Sequence, residues 1–364
     1  MKNLVDFPQI GRNQLQNIFD LTISIDMREK LDRNEHVNVN DLGIDNIIVA
    51  LSMQFTKDGF VDVSFLDEQL LNLSNNGIKT VLIAGTTGEA SSLSIYEHIT
   101  YVRVACEIAR KYNITVVSGA GSNSTSEQGD LIYGVLGGNF AVDQTITRQN
   151  HTKLNEMNLQ KTPGAVASLL LPPYYIKTSS ENLIRHFVNG LNKGPAIIYS
   201  IKGRTGMEIP LEVIEVLSQH PNFVGVKECD GSERIQYLVN KGITVWTGND
   251  DSIVNDVNQI RAYGVISVTA GIIPNIVRSI IDNKFNIGYE VTQNSIASEL
   301  LFPPGYPNPH MVHNVFSMKR YNGETVSFRG PVGPISEVVQ SYAIEVMKRL
   351  GIDGKEYAQN YKVE

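Results

Sequence analysis

Cysteine is scarce in this chain: 364 residues hold two, Cys106 and Cys229. Two thiols cannot build a disulfide framework, so a reducing compartment, the cytoplasm, is the expected location. No run of about 18 apolar residues occurs, which excludes a membrane-spanning helix. No cluster of Lys or Arg stands out and the formal net charge is -7. Nucleic acid and anionic membrane are therefore not expected partners. The opening MKNLVDFPQIGRNQLQ lacks the apolar core of a secretory signal. The acids Asp6, Asp20, Asp26, Glu29, Asp32 and Glu35 argue against an organelle transit peptide. The seven histidines are scattered. His310 and His313 stand three apart without a Cys or carboxylate cluster, and they read as a surface pair rather than a metal site. What the chain does have is apolar material, 42% of its residues. That suits one large barrel with a smaller appendage.

From residue 45 short apolar runs alternate eight times with longer amphipathic stretches. The runs are Asn46–Leu51, Thr80–Ala84, Thr115–Gly119, Ala165–Leu171, Ala196–Tyr199, Phe223–Lys227, Thr244–Thr247 and Gly264–Val268. They are rich in Val and Ile and keep no period of two, as expected of strands covered on both faces. Helices are predicted between them, for example over Ser64–Asn76, Ser94–Lys111, Ser180–Asn192, Pro210–Gln219 and Ser252–Tyr263. Ser94 with Glu97 three residues on is a capping-box pattern. Eight β-α repeats predict an α/β protein with a closed (β/α)8 TIM barrel and a C-terminal helical region. A doubly wound sheet would carry a Gly-rich dinucleotide loop after its first strand, and none follows Leu51. The expected division is an N-terminal extension over 1–43, the barrel over 44–270 and the C-terminal region over 271–364. The extension is polar, with helix expected around Gln14–Leu31. A polar insertion near 140–164 lengthens the connection from third to fourth strand, and a loop that long is functional or mobile. Beyond residue 270, helices are expected over 272–299 and 334–350, joined by the Pro-rich stretch Leu301–Pro309.

In such a barrel the active site lies at the C-terminal ends of the strands. The sixth run ends on a cation, Lys227. An amine there is far from bulk water, desolvation favours its neutral form, and a neutral amine attacks carbonyl carbon. The alternative is a lysine that snorkels or pairs with Glu228. Other strand ends add Gly85-Thr86-Thr87-Gly88-Glu89, Pro172-Pro173-Tyr174-Tyr175, Tyr199-Ser200 with Gly203-Arg204-Thr205-Gly206, Gly248-Asn249-Asp250-Asp251 and Ile266-Ser267. Each has a plainer reading. Thr86 or Thr87 could cap the next helix, Tyr174 and Tyr175 could be packing, Arg204 could be a solvated cation, and Asp250 and Asp251 could N-cap. Their coincidence at one rim favours a site. Lys227 would form a Schiff base with a small 2-oxo acid, Arg204 and the Thr86-Thr87 turn would hold carboxylate, and Tyr199 would shuttle protons. Neither metal nor organic cofactor is required.

In order and spacing these motifs resemble the dihydrodipicolinate synthase / N-acetylneuraminate lyase family over roughly residues 45–350. Val226-Lys227-Glu228-Cys229 and Val245-Trp246-Thr247-Gly248-Asn249-Asp250-Asp251 look most like the plant-type synthases. The resemblance implies Lys227 as the Schiff-base lysine and Tyr199, Thr86 and Tyr175 as a proton relay, Tyr175 reaching into a neighbouring subunit's site. It implies Thr87 as binder of the pyruvyl carboxylate, Arg204 as binder of the carboxylate of aspartate semialdehyde, and Gly248 and Ile266 as donors of backbone carbonyls. A homotetramer of tight dimers, or a homodimer, is implied as well. Asn123, Glu127 and Tyr174 match a feedback site for lysine, where Ile95 replaces a His or Trp. Where the family reads Tyr-Asn-x-Pro, this chain reads Tyr199-Ser200-Ile201-Lys202, without the proline that fixes φ before the Arg204 loop. The leading expectation is condensation of pyruvate with aspartate semialdehyde to the dihydrodipicolinate precursor, 4-hydroxy-tetrahydrodipicolinate. Alternatives are an aldolase or dehydratase acting on a sugar-derived 2-oxo acid, and a non-catalytic small-molecule-binding homologue.

Overall fold

Eight parallel strands close into a barrel in chain order: β1 (Ile47–Ala50), β2 (Thr80–Ile83), β3 (Thr115–Gly119), β4 (Ala167–Leu170), β5 (Ala196–Ser200), β6 (Phe223–Glu228), β7 (Val245–Thr247) and β8 (Gly264–Ser267). The structure, a computed structural model, describes residues 11–143, 146, 159–284, 288–321, 323–324 and 328–352. Closure is made where β8 returns to β1, with Ile48 opposite Ile266. β1, β2, β4, β5, β7 and β8 are buried along their whole length, the reason their sequences carry continuous apolar runs rather than alternation. In register, Lys227 of β6 stands between Tyr199 of β5 and Trp246 of β7. Most of the expected insertion, residues 144–145 and 147–158, lies outside the described residues.

Helices cover the strands. The helix Ile95–Lys111 opens on the predicted capping box: Ser94 Oγ accepts from the Glu97 N–H at 3.2 Å and Glu97 accepts from the Ser94 N–H at 2.9 Å. The N-terminal extension contributes two helices, Arg12–Thr22 and Ile25–Asp32, rather than one. Asn192 fixes the break between them, accepting from the Ser24 N–H and donating to the Thr22 carbonyl, both at 3.1 Å. Leu15 and Phe19, one turn apart, are buried where the first helix packs on Ser180–Leu191 and Leu211–Leu217.

Three expectations need correction. The stretch Ser252–Tyr263 is a 3₁₀ turn and a π-helical segment, Val254–Gln259, not an α-helix. Buried Asp256 takes hydrogen bonds there from Ser232, Thr247 and Ser252, and Arg261 turns left-handed at φ 71 just after it. Residues 272–299 do not form one helix but Pro274–Ile281 and Glu290–Leu301, the first ending just before left-handed Asn283. A further helix, His310–Arg320, follows the Pro-rich stretch. It buries His313, so the pair His310/His313 is not a surface pair: His313 stacks on Phe55 and hydrogen-bonds Glu89. The last helix, Glu337–Arg349, begins on a Ser336 cap. Among the described residues no helix is long and apolar enough to cross a membrane.

Candidate active site

A cavity of about 570 Å³ opens at the C-terminal ends of the strands. Lys227 lines it and is 7% exposed. Glu228 does not neutralise it. Successive residues of a strand face opposite ways, and the Glu228 carboxylate accepts from Arg234 Nε at 3.1 Å and from the Asp230 N–H at 2.8 Å. Burial is the chief influence on the Lys227 amine and lowers its pKa; the Cys229 thiol and the Asp250 carboxylate oppose this, and Arg204 reinforces it. Lys227 Nζ lies 4.4 Å from the centre of the Tyr199 ring. Tyr199 is itself buried, so its pKa is raised well above the ordinary phenol value and it stands as a proton donor. Burial pushes the pKa of the Cys229 thiol, another wall residue of the cavity, up to about 11.

Gly248 lets the β7 end pass close to the amine. A Cβ there would lie 2.2 Å from Cys229 Sγ and 2.6 Å from Lys227 Cε, so no side chain fits. Asp250 does not cap the turn that follows it. It is buried and accepts from the N–H groups of Val268 and Thr269 at 2.9 and 3.2 Å and from the hydroxyls of Ser267 and Thr269. Burial raises its pKa against those hydrogen bonds. This ties the mouth of β7 to that of β8. Thr86 and Thr87 also line the cavity, and neither caps the next helix, a task that falls to Ser94. Thr87 Oγ1 accepts from Asn308 Nδ2 at 3.1 Å. Arg204, exposed on a short helical turn at Lys202–Thr205, lines the same cavity and donates to the Asn308 carbonyl at 2.6 Å.

The remaining expected residues are not on the wall of this cavity. Ile266 is buried within β8 and is not on the cavity wall. Tyr175 is 84% exposed and is not on the wall of the cavity in its own chain; its N–H donates to Asn123 Oδ1 at 2.7 Å. Tyr174 and Glu127 line a second cavity of about 370 Å³, together with Ile95 and His98. That cavity shares Thr86, Tyr199 and Arg204 with the first. Asn123 is absent from its wall, while Ser122 donates to the Glu127 carboxylate.

Reading the sequence alone overlooked several wall residues. Cys229 carried a usable signal, since i and i+2 of a strand share a face and Lys227 was already placed inward. Ser298, Glu299 and Asn308 come from the C-terminal region, and no local pattern in the sequence aims them at the barrel mouth.

Comparison with known proteins agrees with this geometry. The model of the dihydrodipicolinate synthetase family matches residues 43–132 and 150–349. 4-Hydroxy-tetrahydrodipicolinate synthase 2, chloroplastic, of Triticum aestivum is 33% identical over 310 residues, 84% of this chain and 73% of the wheat protein. 4-Hydroxy-tetrahydrodipicolinate synthase of Methanococcoides burtonii is 30% identical over 320 residues, 84% of this chain and 98% of that one. The chloride-inhibited dihydrodipicolinate synthase of Acinetobacter baumannii, solved in complex with pyruvate, superposes with a TM-score of 0.69 at 27% identity, covering 85% of this chain and 99% of its own. With a matching family model over most of its length and the closed barrel to go with it, the chain belongs to the dihydrodipicolinate synthetase family.

Proposed function

We propose that this chain is a 4-hydroxy-tetrahydrodipicolinate synthase, an aldolase-type lyase of lysine and diaminopimelate biosynthesis that joins pyruvate to aspartate semialdehyde through Lys227. The observation that carries the reading is a desolvated amine 4.4 Å from the ring of a buried, protonated tyrosine. The neutral amine attacks the pyruvate carbonyl, and Tyr199 gives a proton to the departing hydroxyl so that water leaves and an iminium forms. The iminium draws electrons from the adjacent methyl, whose proton returns to the Tyr199 oxygen, leaving an enamine. The enamine carbon attacks the aldehyde, whose oxygen takes the proton held by Tyr199 and becomes a hydroxyl as the iminium re-forms; the amino group of the second substrate then adds to the iminium carbon, passes a proton to the Lys227 nitrogen, and closes the ring as Lys227 leaves as the free amine. Thr87 is assigned to the pyruvyl carboxylate, Arg204 to the carboxylate of the semialdehyde, and the carbonyls of Gly248 and Ile266 to the reacting centre. Thr86 and Tyr175 complete the relay, Tyr175 from a neighbouring copy in a homodimer or homotetramer. The second cavity, with Glu127 and Tyr174 on its wall, is the proposed seat of feedback by lysine, and Asn123, which is not on that wall, is the third residue assigned to it. The two cysteines are both free thiols, which supports a reducing location, and the cytoplasm is proposed.

Borohydride reduction in the presence of pyruvate tests the central step. A mass increase on the peptide containing Lys227, absent from Lys227→Ala, is expected. Well-folded protein that takes no label would overturn the reading.

A further inference from the structure

Arg204 stands on a loop without the proline that would stiffen it, yet the loop is held. Lys202 is the first residue of the turn Lys202–Thr205, a position where proline is favoured because its φ is preset and its N–H has no partner within the turn. Here the N–H is present and is not left to water: it donates to Asp230 Oδ1 at 2.7 Å. Two residues earlier, buried Ser200 donates to the other oxygen of the same carboxylate, Asp230 Oδ2, at 2.7 Å. Both carboxylate oxygens of Asp230 are thus spent on the two residues that flank Ile201. Asp230 is in turn fixed by its own N–H, which donates to Glu228 Oε1 at 2.8 Å, and Glu228 is held by Arg234. At the far end of the turn Lys177 Nζ donates to the Thr205 carbonyl at 2.9 Å. Gly206 then adopts φ 62, where a Cβ would meet Lys177 Nζ at 2.5 Å.

We propose that Asp230 is a positioning residue for Arg204, doing by two hydrogen bonds what a proline at position 202 would do by covalent restraint, and that it thereby sets recognition of the second substrate's carboxylate. Asn308 adds a second restraint on Arg204, its carbonyl accepting from the guanidinium and its amide donating to Thr87. Asp230 is not on the cavity wall, so it acts through the loop and not on substrate. This inference rests on the proposed synthase reaction, in which Arg204 meets aspartate semialdehyde.

The test compares Asp230→Ala, Asp230→Asn and the double variant Asp230→Ala/Lys202→Pro with the parent chain. Two quantities are read: KM for aspartate semialdehyde, and borohydride labelling of Lys227 with pyruvate alone. Asp230→Ala is expected to raise that KM about tenfold or more, the effect of losing two hydrogen bonds to a carboxylate, with labelling unchanged. Asp230→Asn keeps an oxygen for the Lys202 N–H and is expected to stay near the parent. Lys202→Pro needs no acceptor at 202 and is expected to recover most of the loss in the double variant, which a merely structural defect at Asp230 would not allow. An unchanged KM in Asp230→Ala, or no recovery by the proline, overturns the proposal. If Asp230→Ala does not fold, Ser200→Ala reads the same claim: a smaller rise in KM that Lys202→Pro reverses supports it, and an unchanged KM sinks it. Parent protein that labels at Lys227 while these variants behave alike refutes only the role of Asp230. Parent protein that does not label refutes the synthase reading itself.

Discussion

At Lys227 the surroundings favour the uncharged amine, because burial removes the water that would solvate an ammonium. The lowered pKa bears on both rate and stability. For rate, adduct formation with pyruvate should fall as pH is lowered, with its inflection below the ordinary lysine value; stopped-flow or quench labelling across pH reads it, and an inflection at the ordinary value would contradict the buried amine. For stability, the lysine pKa is lower folded than unfolded, so between the two values the unfolded chain binds more protons and stability rises with pH. Below both values the buried ammonium is a constant handicap to the fold. Replacing it by an uncharged chain of similar length removes that handicap. Lys227→Met is therefore expected to be inactive but to melt above the parent at pH 7, the gap closing as pH rises toward 10, as measured by thermal unfolding at several pH values. A parent that melts higher than Lys227→Met at pH 7 would mean that the amine is solvated or paired.

Among the elements, the helix His310–Arg320 does more than cover the barrel. Its His313 is fully buried, hydrogen-bonded through Nδ1 to Glu89 and packed between Phe55 and Phe328. Glu89 is the last residue of the Gly85–Glu89 motif and holds a left-handed φ of 51, so the contact fixes the loop that presents Thr86 and Thr87. His313→Leu leaves the buried Glu89 Oε1 without its hydrogen-bond partner, a loss expected to cost about 1–3 kcal/mol in chemical denaturation. It is also expected to raise KM for pyruvate. Glu89→Leu/His313→Leu removes both polar groups and should regain part of that stability, because no buried polar atom is left without its partner; a double variant weaker than the single one would refute the pairing. None of this was legible in sequence, where His313 reads as half of a surface pair with His310, since its partner lies 224 residues away. Elements whose cause is local were legible. All eight strands appear within one or two residues of their apolar runs, and the Ser94 cap stands where Ser and Glu are three apart. The failures have different causes: Ser252–Tyr263 has helical composition, but buried Asp256 answers to Ser232 and Thr247 outside it, whereas residues 272–299 are broken locally at left-handed Asn283. The site divides in the same way, with Lys227, Tyr199, Thr86, Thr87, Arg204 and Gly248 readable at strand ends and Asn308 and Glu299 brought in by the tertiary fold.

On the scale of the whole molecule, the consecutive residues Tyr174, Tyr175 and Ile176 are 45%, 84% and 55% exposed. Three large apolar side chains in a row are unusual on a surface that faces only water, and such patches mark contacts. They adjoin the barrel mouth, since Tyr174 lines the cavity next to that of Lys227 and shares its wall. A two-fold interface here would place the same patch of each copy against the other, so that Tyr175 could serve the partner's site rather than its own. Mixing two crippled chains decides between these. Lys227→Ala lacks the amine but keeps Tyr175, and Tyr175→Phe lacks the phenol but keeps Lys227. If Tyr175 crosses the interface, each mixed dimer contains one site with Lys227 from one chain and Tyr175 from the other. Random pairing at equal amounts makes half of the dimers mixed, each with one of two sites intact, so activity should return to about a quarter of the parent's. If Tyr175 acts within its own chain, every site in the mixture lacks one group or the other. The rate would then stay at the average of the two parents, and the relay would have to be completed without a tyrosine from the partner.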